Sequence, residues 1–136
     1  MIETKPIKLR IRNEQDGEQQ IQTYHGKWTK KGKVTYIQYL EIQPDHEEVS
    51  TTIRWDGTEM KVIRFGAVQS KLCFVLHQER SGFLELENQQ LALRTYTTDL
   101  TVQIKQHKAF LSWTYTLMLQ QDHEVNMNIQ IKIEEE

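Results

Sequence analysis

The stretch Ala109-Phe110-Leu111-Ser112-Trp113-Thr114-Tyr115-Thr116-Leu117-Met118-Leu119, followed after a polar segment by Val125-Asn126-Met127-Asn128-Ile129-Gln130-Ile131-Lys132-Ile133, decides the fold class. Both runs repeat with period two. In the second, every odd position is apolar and every even one polar, the pattern of a strand with one face packed and the other wet. Near the other end of the chain, Ile7, Leu9 and Ile11 share one face of a first strand whose other face carries Lys8, Arg10 and Arg12. No stretch holds the three-to-four spacing of an amphipathic helix over three turns. The chain therefore reads as all-β.

Working outward from these runs, turn residues divide the remainder into strands. The strand at 7–11 ends in Asn13-Glu14-Gln15-Asp16-Gly17, and a polar strand at 20–24 leads to a hinge-like His25-Gly26-Lys27-Trp28 and a reversal at Lys30-Lys31-Gly32-Lys33. The strand at 34–42 is apolar on both faces, so its parity stays open. Asp56-Gly57-Thr58 between 49–55 and 60–65 is a strong hairpin signal. Further strands follow at 71–77, 83–87 and 91–97. Leu91 and Leu93 are odd whereas Leu100, Val102 and Ile104 are even, so a bulge near Thr98-Asp99 must absorb one residue if all are to face one core. About eight to ten strands joined by hairpin-length connections favour a single antiparallel meander closing into a barrel, with a two-sheet sandwich as competitor. Ile7, Leu9, Ile11, Leu111, Trp113, Tyr115, Ile129 and Ile131 are expected inside.

Composition bounds the function. A chain of 136 residues reads as one domain, 1–136, burying about two-thirds of the surface of its unfolded form. The single cysteine, Cys73, excludes an intramolecular disulfide. Met1-Ile2-Glu3-Thr4-Lys5-Pro6 has an acid where a secretory signal carries cations, and no apolar run is long enough to insert into a membrane as a helix. The expected address is the cytoplasm. A net charge of −2 and a pI near 6.2 argue against nucleic acid as a partner, because phosphate binding rests on clustered Lys and Arg.

Residues that could carry chemistry are few. Cys73 and His77 would share a strand face about 13 Å apart, too far for a thiolate–imidazole pair. No serine lies in a Gly-x-Ser-x-Gly elbow. His46 with Asp45, Glu47 and Glu48, and His123 with Asp122 and Glu124, lack a spacing that converges on one ion and read as solvated turns. No metal or organic cofactor is expected. Trp28 reads as a plug or a partly exposed ring at a barrel end. Charges inside apolar strands are more informative: Glu41 ends an aromatic-rich strand, and Arg64 lies between Ile63 and Phe65. Met60-Val62-Arg64 and Lys61-Ile63-Phe65 are equally good inner faces.

Tyr39-Leu40-Glu41, Arg64-Phe65-Gly66, Leu72-Cys73-Phe74, Gly82-Phe83, Thr95 and Tyr115-Thr116-Leu117, in that order, resemble the YwiB-like family of small bacterial proteins over nearly the whole chain. The chain departs from that pattern at Phe83, where the family has Tyr, and at Leu86-Glu87-Asn88, where it has a Pro-x-Gly turn. The resemblance implies a calycin-type, lipocalin-like barrel and no assigned activity. It also implies that Glu41 and Arg64 face inward as a pair, since an Arg in an apolar wall needs compensation. The functional expectation is a binding module for a small, partly apolar anionic ligand, its head near Arg64 and its body along Tyr39, Trp113 and Tyr115. The rival is an interaction module with a packed interior, forming a homodimer through the second apolar face of 34–42. With no nucleophile–base pair or metal set, an enzyme is not indicated.

Overall fold

Left-handed turn residues set where the chain reverses. Asp16 and Gly17 lie at φ of 50° and 90°, and Gly57 at 99°, conformations that favour Gly and Asx residues. Asp56 accepts at Oδ1 from the backbone N–H groups of Thr58 and Glu59 at 2.9 and 2.8 Å, which fixes that hairpin and holds the carboxyl below its ordinary range.

The computed structural model describes residues 3–45, 47–119 and 123–136, all in strands and their connections. The strands are β1 (Glu3–Gln15), β2 (Glu18–Lys31), β3 (Val34–Ile42), β4 (Glu48–Trp55), β5 (Glu59–Gly66), β6 (Gln69–Val75), β7 (Glu79–Leu86), β8 (Gln89–Ile104), β9 (Lys108–Met118) and β10 (Glu124–Glu135). Each pairs antiparallel with the next and β10 pairs with β1, closing a ten-stranded meander barrel. A sandwich is ruled out because closure leaves neither β1 nor β10 as an edge.

Alternation along each strand fills one half of the barrel. Ile7, Leu9, Leu111, Trp113, Tyr115 and Ile131 are buried, while Ile11 and Ile129 pack against that core from its partly exposed margin. Phe74 lies 4.5 Å from Tyr115 and 5.7 Å from Trp113 between ring centroids. The register of β8 against β9 shifts between Thr97 and Asp99, so Leu93, Thr95 and Thr97 precede the bulge on the buried face, and Leu100, Val102 and Ile104 follow it against the core. The parity of β3 is resolved as well. Thr35 and Ile37 are buried on the inner face, while Leu40 and Ile42 are exposed outside.

Two expectations need correction, and a third is decided between its alternatives. His25 to Trp28 do not form a hinge but continue β2, with Gly26 paired to Ile7 on one side and Tyr39 on the other. The glycine serves close approach, since a Cβ there would meet the Gln38 carbonyl oxygen at 2.2 Å. Of the two readings of Trp28, the structure fits the plug: the ring is fully buried, and its Nε1 donates to Glu135 Oε1 at 3.0 Å at the closed end of the barrel. His77 is not in a strand with Cys73. β6 ends at Val75, and His77 turns the chain at φ 61° with its N–H donating to the Thr97 carbonyl at 2.8 Å.

Candidate ligand site

The second half of the barrel is open. β1 runs past the expected turn to Gln15, so Asn13 continues the inward face of Ile7, Leu9 and Ile11. A cavity of about 270 Å³ begins where the packed core stops. Ile11, Val62, Leu72, Met127 and Ile129 give it apolar walls. Tyr24, Tyr39, Trp113 and Tyr115 add aromatic surface, and the exposed Gln20 and Gln22 of β2 form its rim.

Both charges in the wall follow from strand parity. Met60 is buried and Val62 lines the cavity, which brings Arg64, two residues further along β5, to the same inner face. Tyr39, Thr51, Arg64 and the buried Ser70 form one transverse row across β3 to β6. Glu41 lies one step along β3 from that row. Arg64 Nη2 donates to Glu41 Oε2 at 2.7 Å, and Thr51 Oγ1 donates to Glu41 Oε1 at 3.4 Å. The side chains of Arg64 and Glu41 keep 30% and 17% of their exposure, so the pair sits at the mouth rather than in dry core.

The surrounding phenols stay protonated. Burial pushes the Tyr39 hydroxyl well above its ordinary range, and the Glu41 carboxylate and Tyr24 push it further. Tyr24, whose ring lies 4.9 Å from that of Tyr39, is raised by burial and then by Glu41. Tyr115 is raised by burial alone. Three polar atoms of the lining are buried without a hydrogen-bond partner among the described residues: Arg64 Nε, Trp113 Nε1 and Asn13 Oδ1.

Arg64, Glu41, Tyr39, Trp113 and Tyr115, singled out from the sequence, thus line one cavity. Asn13, Thr51 and Tyr24 were not singled out. Asn13 shares the odd parity of Ile7, Leu9 and Ile11, and that alternation was the available signal. Among the described residues, no three His, Cys, Asp or Glu side chains gather as a metal site requires. Two members of the histidine clusters, His46 and Asp122, lie outside the described residues.

A domain of unknown function, DUF1934, matches residues 6–131 of this chain. The chain belongs to the DUF1934 family. A curated relative of this DUF1934 chain is the uncharacterized beta-barrel protein YwiB of Bacillus subtilis (strain 168), 28% identical over 136 residues that span 95% of this chain and 94% of the relative. The crystal structure of the YwiB protein from Bacillus subtilis superposes with a TM-score of 0.82 at 23% identity, covering 98% of this chain and 93% of that one. The DUF1934 barrel described above is therefore the fold of a solved structure as well.

Proposed function

We propose that this barrel is a binding module for a small, partly apolar anion, held at the mouth with its acidic head at Arg64 and its body against Tyr39, Trp113 and Tyr115. The supporting observation is an arginine on the inner wall of an open cavity whose remaining lining is mostly aromatic and aliphatic. Ligand sites of this kind combine apolar walls with a few placed polar groups. Size limits the ligand. At about 270 Å³ the cavity lies just below the range of about 300–1,000 Å³ usual for small-molecule sites, which favours a compact acid over a long acyl chain.

Glu41 already occupies one edge of Arg64, so an incoming anion meets a neutralised cation. Titration calorimetry with benzoate tests the reading. Glu41→Gln should tighten binding by freeing the guanidinium, and Arg64→Met should abolish it. Benzoate binding that ignores both changes, or no binding to the wild type, would reject this reading.

A second reading is favoured by the outer face of the same wall. Leu40, Ile42, Ile63 and Phe65 are exposed on β3 and β5 with the short Ser50 and Thr52 between them. Exposed apolar surface of this kind suits a partner, here a second copy of the chain. Light scattering of the wild type and of Phe65→Lys separates the readings: a dimer that Phe65→Lys dissociates supports self-association, and a monomer in both removes it.

A further inference from the structure

The unpartnered atoms of the cavity are arranged by wall, and that arrangement constrains the ligand beyond its charge. β10 is five strands from β5 in either direction round the ring, so it stands opposite the strand that carries Arg64. Ile129 of β10 pairs with Asn13 of β1 on one side and Trp113 of β9 on the other. The wall facing Arg64 therefore presents, in one transverse row, an acceptor, an apolar side chain and a donor: Asn13 Oδ1, Ile129 and Trp113 Nε1. The indole is 2% exposed, and neither polar atom has a hydrogen-bond partner among the described residues. On the Arg64 wall the free atom is Nε, a donor, while Nη2 is held by Glu41.

Buried polar groups left without a partner are costly, and native sites meet them with a ligand or ordered water. A carboxylate answers the Arg64 wall because it only accepts. The facing wall asks for a group that donates to Asn13 Oδ1 and accepts from Trp113 Nε1. A hydroxyl does both. The two polar ends must be held apart across the lumen, with an apolar body between them against Val62, Leu72 and Ile129. A flat ring achieves that without freezing rotors, which a flexible chain of equal length would have to do.

We infer that the ligand class is a hydroxylated aromatic acid, its carboxylate on Arg64 and its ring hydroxyl between Asn13 and Trp113. This rests on the anion-binding reading above and adds the second polar end. Calorimetric titration of the wild-type protein with benzoate, 3-hydroxybenzoate, 4-hydroxybenzoate and phenol tests it without relying on a variant. At least one hydroxybenzoate should bind about tenfold or more tighter than benzoate, with phenol weaker than all three acids. Asn13→Leu and Trp113→Phe should each shrink the hydroxyl preference, read as the ratio of hydroxybenzoate to benzoate affinity within the same variant, to within about threefold. Benzoate and both hydroxybenzoates binding equally would overturn this inference and leave the anion site standing. A preference that survives both substitutions would overturn it too, and failure of every acid to bind would remove the anion site itself.

Discussion

Arg64 and Glu41 are held in an intermediate solvent environment, and that decides how much each contributes. A fully exposed pair is worth about 0–1 kcal/mol, and breaking a fully buried one costs about 3–5 kcal/mol. With 30% and 17% of their side-chain surface still exposed, Arg64→Met and Glu41→Gln should each cost about 1–2 kcal/mol in denaturant melts. The double change should cost clearly less than the sum, because it leaves no orphan charge. Strictly additive losses would mean that the 2.7 Å contact carries no coupling. Alternation alone could not choose between the two faces of β5, since both carry apolar residues. The register with β4 and β6 places Arg64 inside, in the row of Tyr39, Thr51 and Ser70.

Strands register their sequence faults locally. The parity break between Leu93 and Leu100 was legible because one-residue slips exchange every inward side chain for an outward one, and the shift stands at Thr97/Asp99. Deleting Thr98 takes out the extra residue and should therefore leave Leu100, Val102 and Ile104 inward by plain alternation, and loss of the cooperative thermal transition would contradict that reading. Thr98→Ala should keep stability within about 1 kcal/mol of the wild type. The end of β1 was not legible, because Asn13 to Gly17 spells a turn while the strand continues to Gln15 and reverses only at Asp16-Gly17. Turn-forming composition marks where a chain can reverse; pairing with Ile129 and Gln20 decides that Asn13 does not. At the closed end, β10 is fastened by Glu135, which accepts from Trp28 Nε1 at 3.0 Å and contacts His107 Nδ1 at 2.8 Å. Its carboxyl is held below the ordinary value, first by His107 and then by Trp28. A depressed carboxyl contributes its stability above its unfolded value near 4.5 and loses it as pH falls through the lower folded value. Thermal melts taken downward from about pH 5 should show that loss in the wild type. In Glu135→Gln the drop should be smaller, and an identical pH profile would remove Glu135 from the account.

At the scale of the whole molecule, closure joins the first strand to the last. Ile7 pairs with Glu135, so the edge of β1 that faces β10 has no partner until nearly the whole described chain exists. At about 5–20 residues per second, the 128 residues between Ile7 and Glu135 (135 − 7) take roughly 6–25 s to synthesise. For that interval a nascent β1 carries an open hydrogen-bonding edge beside Ile7, Leu9 and Ile11, the surface on which foreign strands add. Lys8, Arg10 and Arg12 alternate with those residues on the opposite face, and like charges on successive copies would repel a stack in register. Replacing all three with threonine should leave the melting temperature of the folded protein within a few degrees, since solvated surface changes cost about 0.5 kcal/mol or less each. The same replacement should lower the soluble fraction recovered from cell-free translation at limiting chaperone, where the wait for β10 is longest.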